Sequence, residues 1–333
     1  MTERFIESSL NKADQTFDTP LRPQSFDDFV GQDDVRERLE LFVGAAKQRS
    51  ETLGHCLFCG PPGLGKTTLA NIIAKAMGTN LVVTSGPVLE KAGDVAGLLT
   101  NLQEGDVLFI DEIHRLSRVV EEYLYPAMED FVLDLLIDSG PSARSVRVKL
   151  NRFTLVGATT RLGLLTSPMR SRFGMTCRLD YYTPEVLKKI IHRSSILLNS
   201  DVEDAGLMEI SRRSRGTPRV ANHLLRWVRD YAQMRTGGKA DQDVVEKALD
   251  MLDIDARGLD DMDKKILTVI MDLYNGGPVG LNTIAVAVGE EGTTIEEVYE
   301  PYLIMQGFLK RTPRGRETTP LAYQHMNKKV YSS

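Results

Sequence analysis

Residues 60–68 read Gly-Pro-Pro-Gly-Leu-Gly-Lys-Thr-Thr, and no other stretch restricts the possible folds of this chain so sharply. Glycines at Gly60, Gly63 and Gly65 let the backbone turn its N–H groups inward without Cβ clashes, while a helix beginning near Lys66 aims the positive end of its dipole at the same point. The spacing G-x-x-x-x-G-K-T is that of a phosphate-binding loop. Lys66 can reach the β- and γ-phosphates, the Thr67 hydroxyl is placed to ligate magnesium, and Thr68 helps to hold the α-phosphate. Such a loop requires a strand before it and a helix after it. His55-Cys56-Leu57-Phe58-Cys59 has the run of a buried strand, and Leu69, Ile72, Ile73 and Ala76 repeat at helical spacing. The implied ligand is a nucleoside triphosphate.

At 333 residues the chain is long for one core, so two or three domains are expected. Its net charge of −5 excludes a protein that coats nucleic acid or membrane by bulk attraction, so any polyanion site must be focal. No run approaches the ~18 apolar residues of a membrane span, and Met1 to Gln15 lacks an apolar signal core. A cytoplasmic protein without a membrane partner is expected. Three cysteines fit a reducing compartment better than a disulfide scaffold. Cys56, Cys59 and His55 suggest a metal site. A strand, however, puts the two thiols on opposite faces, and no second Cys/His pair follows at zinc spacing, so buried free cysteines are the better reading.

Leu21-Arg22-Pro23 and Phe26 to Gln32 mix apolar residues with turn signals, as a docked segment would. A helix is expected from about Asp33 to Ser50, with Val35, Leu39, Phe42, Val43 and Ala46 on one face. Strand Leu81 to Thr84 and a helix near Val95 to Leu102 precede the apolar run Asp106 to Ile110, which ends in Asp111-Glu112. In a parallel α/β sheet the C-terminal strand edges face the ligand crevice. Asp111 then suits a magnesium contact and Glu112 suits polarising the attacking water; two acids at a strand end can also cap the next helix, but downstream of a phosphate loop that is the lesser reading. After a helical stretch from Tyr123 to Glu129, the alternating runs Phe131 to Ile137 and Ser145 to Leu150 flank Asp138-Ser139-Gly140-Pro141-Ser142, a hairpin signal. That hairpin either packs on its own domain or docks another protein. Strand Phe153 to Ala158 ends at Thr159 and Thr160, where a hydroxyl could bond the γ-phosphate or the nucleophilic water. Ser167 to Phe173 is a short helical piece carrying Arg170 and Arg172.

From Tyr181-Tyr182-Thr183-Pro184 the texture becomes helical: Glu185 to Leu198, Val202 to Ser211, Pro218 to Met234 and Asp241 to Leu249. The third of these helices opens with Thr217 as N-cap, Pro218 at the first position and Arg219 beside it. An acidic linker, Asp253 to Gly258, leads to helices Leu259 to Leu273, Leu281 to Val288 and Ile295 to Gln306. A strand from Phe308 to Arg311 and a return strand after Arg316 complete the winged-helix order. Lys310, Arg311, Arg314 and Arg316 are either a solvated loop or a phosphate-gripping wing, which would give focal, salt-sensitive DNA binding with little base readout. The expected domains are 1–182 with a hairpin insertion at 131–150, an all-helical 183–254, and a winged-helix 257–333.

Together these residues resemble the AAA+ ATPases and, more closely, the RuvB family of bacterial Holliday-junction branch-migration motors. The likeness covers nearly the whole chain. Leu21-Arg22-Pro23 with Phe29 to Gln32, residues 60–68, and Asp111-Glu112-Ile113-His114 look like the family's N-terminal, Walker A and Walker B segments. Gly157 to Arg161 and Arg170 to Gly174 look like its sensor 1 and arginine finger, Arg215 to Arg219 its sensor 2, and Arg311 to Arg316 its DNA-binding wing. The resemblance implies an α/β P-loop AAA+ ATPase domain, an all-helical lid and a C-terminal winged helix. It also implies an ATP- and magnesium-dependent hydrolase that translocates double-stranded DNA and drives branch migration in recombination and repair. Leu21, Arg22 and Tyr182 would line the adenine and ribose end, and Thr160 would be sensor 1. Arg172 would act in trans on a neighbouring subunit, with Arg170 the lesser candidate, and Arg219 would contact the triphosphate. The family further implies a homohexamer on the arms of Holliday junctions, RuvA docked on the hairpin, and RuvC in the resolving complex. Asn151-Arg152-Phe153 departs from the family where a proline precedes the phenylalanine, which bears on the hairpin's exit only. A protein unfoldase would carry an aromatic pore loop, and Thr84 to Lys91 has none. A nucleotide-switched DNA scaffold would share the lid and wing but not DNA-length-dependent hydrolysis.

Overall fold

The computed structural model describes residues 20–136 and 145–328, so the turn expected at Asp138 to Ser142 lies outside the described residues. Within them the chain divides into two compact units, one spanning Thr19–Tyr182 and the other beginning at Thr183.

The first unit starts with helix α1 (Asp33–Arg49), which buries Val35, Leu39, Val43 and Ala46 and stops where Ser50 takes a left-handed conformation. Strand β1 (Cys56–Cys59), α2 (Lys66–Met77), β2 (Leu81–Ser85), α3 (Ala92–Thr100), β3 (Val107–Asp111) and α4 (Arg118–Glu129) follow. Helix α4 begins five residues before the expected Tyr123, because the Ser117 hydroxyl accepts the Val120 N–H and caps it there. The antiparallel pair β4 (Val132–Leu136) and β5 (Ser145–Lys149) is the expected hairpin. Then come β6 (Thr154–Thr159), the short helix α5 (Ser167–Ser171) and β7 (Met175–Arg178).

Strands β2, β3, β6, β1 and β7 form one parallel sheet in that order. Burial is complete along β1 and β6, and along β3 up to its last residue. A parallel sheet covered on both faces demands such unbroken apolar runs. Strand β7 was not anticipated. It is four residues long, lies at the sheet edge and buries only Cys177 fully, so Met-Thr-Cys-Arg carries no continuous apolar signal. Leu57, Leu108, Ile110, Leu155, Val95, Leu124 and Phe153 belong to one cluster between the sheet and its helices.

The second unit opens with α6 (Pro184–Leu197), β8 (Asp201–Val202), α7 (Asp204–Arg213), α8 (Pro218–Arg235), β9 (Lys239–Ala240) and α9 (Gln242–Asp250). Thr183, Thr217 and Asp241 cap α6, α8 and α9 with their side chains, so sequence fixes where each begins. Next come α10 (Asp261–Tyr274), α11 (Leu281–Val288) and a third helix, α12, made of Gly292–Thr294, a wider π stretch Ile295–Tyr299 and Glu300–Met305. The antiparallel ribbon β10 (Leu309–Thr312) and β11 (Gly315–Thr318) forms the wing, and an unexpected helix α13 (Pro320–His325) follows it. Ile266, Ile270, Ile284, Tyr299, Phe308 and Tyr323 share the core of this part. The two parts of the unit are joined by a buried ion pair, Arg215 Nη1 to Asp263 Oδ2 at 2.9 Å, with the Arg215 guanidinium 4.4 Å from the Tyr302 ring centre.

Candidate active site

The loop between β1 and α2 is shaped by its glycines. Gly60 has φ +143°, and a Cβ on it would lie 2.3 Å from the Leu179 carbonyl oxygen. Gly65, at φ +103°, faces the Phe29 ring, which a Cβ would meet at 3.1 Å. No side chain fits at either place, so the loop's amides are brought against the first turn of α2. Lys66 is buried and its ammonium donates to the carbonyls of Gly60 at 2.8 Å and Pro61 at 2.7 Å. A cation held over the loop beside a helix N-terminus is an anion site by construction. Thr67 is half-buried and Thr68 buried in the same turn.

Sheet order decides what faces that loop. Strand β6 lies between β1 and β3, so the ends of these neighbouring strands carry Gly60, Asp111-Glu112 and Thr159-Thr160 on one sheet edge. The Gly60 N–H donates to the Thr159 carbonyl at 3.2 Å, tying loop to strand end. Asp111 Oδ1 accepts the Glu112 N–H at 2.9 Å. Glu112 has φ +47°, a conformation uncommon for a residue with a side chain, and its carboxylate meets Arg115 at 3.0 Å. Thr159 and Thr160 separate clearly. Thr159 is buried, with its Oγ1 accepting the Arg161 N–H and lying 3.0 Å from His114 Nδ1, whereas Thr160 is exposed. The hydroxyl that faces outward is therefore that of Thr160.

Two segments remote in sequence close on the loop. Gln32 exchanges hydrogen bonds with the Asp180 backbone, its Nε2 donating to the carbonyl at 2.6 Å, and Tyr182 Oη donates to the Leu64 carbonyl at 3.1 Å. Tyr182 and Leu21 are buried and Arg22 is half-buried. Burial pushes the Tyr182 phenol well above its ordinary pKa, so it stays a donor. Behind the loop, Cys56, Cys59 and Cys177 are buried thiols, and burial raises Cys177 to about 11. His55 uses both ring nitrogens inside the protein, on the Met128 carbonyl and the Leu155 N–H.

Arg172 caps the C-terminal end of α5. It donates to the Pro168 carbonyl at 2.7 Å and pairs with Glu129 at 3.1 Å. Arg170 is exposed and donates to Ser167 of its own helix at 3.2 Å. Arg219 lies in the first turn of α8, in the second unit. On the wing, Lys310 and Arg314 are exposed and without ion pairs among the described residues. Arg311 pairs with Glu296. Arg316 departs from expectation, because its guanidinium is buried against Glu300, with Nη2 to Oε2 at 3.2 Å, and is not displayed on the ribbon surface. The partners of Arg172 and Arg316 were missed by sequence reading. Glu121, Tyr125 and Glu129, and likewise Glu296 and Glu300, do recur every four residues on one helix face, which is the signal that could have found them.

Three family models match consecutive parts of the chain: "Holliday junction DNA helicase RuvB P-loop domain" over residues 21–179, "RuvB AAA lid domain" over 182–255, and "RuvB C-terminal winged helix domain" over 256–327. The Holliday junction branch migration complex subunit RuvB of Protochlamydia amoebophila is 66% identical over 326 residues, 98% of each chain. That of Chlamydia pneumoniae is 60% identical over 315 residues, 95% of this chain and 94% of the relative. The solved structure of the Thermotoga maritima RuvB Holliday junction branch migration motor superposes with a TM-score of 0.86 at 52% identity, covering 94% of this chain and all of that one.

Proposed function

The chain belongs to the RuvB family, and from that premise we propose that it is an ATP hydrolase whose turnover moves double-stranded DNA and drives branch migration of Holliday junctions. The observation that carries this reading is the shared sheet edge, where the loop after β1, the acids after β3 and the hydroxyls after β6 stand on adjacent strands. Lys66 and the loop amides bind the phosphates, with Thr68 on the α-phosphate. Leu21, Arg22 and Tyr182 form the base and ribose end, beside the Gln32 and Asp180 clasp. Thr67 and Asp111 offer the oxygen ligands that magnesium takes, and the ion would neutralise charge on the β- and γ-oxygens. Glu112 orients and deprotonates the attacking water, and Thr160 holds the γ-phosphate side of it.

Arg172 acts on the triphosphate of a neighbouring subunit, so a lone chain is catalytically incomplete. An arginine supplied in trans contributes roughly 10³ to 10⁵ in rate. Arg219 is the nucleotide-sensing residue of the second unit. The assembly is a homohexamer in the cytoplasm, loaded on junction arms by RuvA through the hairpin 131–150, with RuvC joining for resolution. No helix among the described residues is long and apolar enough to cross a membrane. The domains run 1–182, 183–254 and 257–333, and the wing's Lys310, Arg314 and Arg311 meet DNA phosphates, with Arg316 holding the ribbon in place.

Migration of a synthetic four-way junction tests the reading, with ATP and magnesium, with and without RuvA, beside Lys66→Ala. Movement that requires ATP and is lost in the variant is expected. Hydrolysis without movement, even with RuvA present, would instead indicate a nucleotide-switched scaffold.

A further inference from the structure

Helix α4 carries Glu121, Tyr125 and Glu129 at intervals of four, beside a face whose Val120, Leu124, Ala127 and Met128 pack into the core. Glu121 is buried, with 4% exposure. Its Oε2 accepts the Tyr125 hydroxyl at 2.8 Å and the Thr166 hydroxyl at 2.8 Å, and those two hydroxyls are themselves 3.1 Å apart. Thr166 also caps α5 by accepting the Met169 N–H at 3.3 Å. One carboxylate therefore ties the start of α5 to α4, and α5 ends at Arg172.

The far end of this row meets Arg172 itself. Its guanidinium carbon lies 4.3 Å from the centre of the Tyr125 ring, and Glu129 takes Nη2 at 3.1 Å. Nε of Arg172 is buried without a hydrogen-bond partner among the described residues. The two contacts differ in kind. The ring is fixed by Glu121 and cannot follow a moving cation, whereas Glu129 is 55% exposed and holds its charge in screened surroundings. A triphosphate, bearing several negative charges, outcompetes that single carboxylate.

We propose that Tyr125 and Glu129 are positioning residues for Arg172. The Tyr125 ring, set by Glu121 and Thr166, fixes where the guanidinium sits at the end of α5. Glu129 keeps the charge within its own subunit until a neighbour's triphosphate takes it over. This rests on the trans role of Arg172 given above.

Mixed assemblies on DNA with RuvA test it. A Tyr125→Leu subunit should have lost only its ability to donate a positioned arginine. Its pure assembly is expected to show a roughly tenfold to hundredfold fall in kcat, the scale of a misplaced catalytic group. Affinity for a fluorescent ATP analogue and the thermal midpoint should stay near those of the unaltered chain. Added Glu112→Gln subunits, which hydrolyse nothing but keep Arg172 and Tyr125, should restore turnover at the Tyr125→Leu sites, as they should for Arg172→Ala. Tyr125→Phe keeps the ring but drops the tether to Glu121, and should show a smaller fall with the same rescue. Glu129→Gln should raise kcat roughly two- to fivefold, the scale of an exposed ion pair, with KM unchanged.

Rescue of Arg172→Ala but of neither Tyr125 variant would overturn the proposal and leave the trans site standing. Absence of rescue for Arg172→Ala at any ratio would remove the trans site and the proposal with it. A loss of turnover in Glu129→Gln as deep as in Arg172→Ala would overturn the release role of Glu129.

Discussion

At the scale of single residues, His55 shows how a site is held from behind. Its Nε2 lies 2.9 Å from the Met128 carbonyl and its Nδ1 accepts the Leu155 N–H at 2.9 Å, which fixes the neutral tautomer with its proton on Nε2. The ring is also packed between Phe131 and Phe153. A second proton would have to enter at Nδ1 and expel the Leu155 N–H. Burial, the larger effect, likewise lowers the pKa below the model-peptide value of 6.5. Above that value His55 is neutral folded and unfolded. Below it the unfolded chain takes up a proton and the native one does not, so stability is lost as pH falls from 6.5 toward the depressed native pKa. Urea unfolding should show stability nearly flat from about pH 7.5 to 6.5 and falling below it, by at most about 1.4 kcal/mol per pH unit from this residue, and His55→Gln should remove that component. An unchanged slope in the variant would mean that His55 is protonated in the native protein.

Among elements, the wing separates what a sequence makes legible from what it hides. The order of three helices and a ribbon, and the four cations around its turn, stand in the linear chain. That Arg316 is spent on Glu300, and that a still exposed Arg311 pairs with Glu296, depends on two glutamates of α12 that meet the ribbon only when the element folds back. Periodicity reports faces, not partners. The four-residue spacing of Glu296 and Glu300 marks a face of α12, but not which cations 15 or 16 residues away it meets. The same holds for β7, whose pairing with β1 makes a strand of four unremarkable residues. By contrast Gly60, Lys66, Asp111 and Glu112 were legible because backbone conformation and charge were required of them locally. Lys310→Ala with Arg314→Ala should therefore lower the salt slope of DNA binding by about 2 while sparing basal ATPase. Arg316→Ala should instead lower the stability of the second unit by about 3–5 kcal/mol, because it strands a buried Glu300 charge. Binding titrations at several salt concentrations and thermal unfolding distinguish the two, and a fully stable Arg316→Ala with a flattened salt slope would return that arginine to the DNA surface.

Over the whole molecule, the junction between lid and winged helix is held by buried side chains. Arg215, in the turn before α8, is buried at 4% exposure and paired with a fully buried Asp263 in the first turn of α10, which also shares a capping box with Asp260. Arg213 reaches the Ile254 carbonyl, and His325 holds Asp255, so the linker is pinned from both sides. These contacts tie the lid to the winged helix across the linker. Arg215→Ala should expose residues 253–258 to limited proteolysis and reduce junction movement far more than ATPase activity. Equal loss of both would deny the pair a transmitting role. Within the first unit, one feature of the sheet bears on how the protein is made. Strand β1, which launches the phosphate loop, hydrogen-bonds in the sheet to β6 and β7 alone. The Leu155 N–H that reaches His55 is 100 residues further along the chain. On the ribosome the loop is therefore complete in sequence long before β6 and β7, the sheet neighbours of its strand, have emerged.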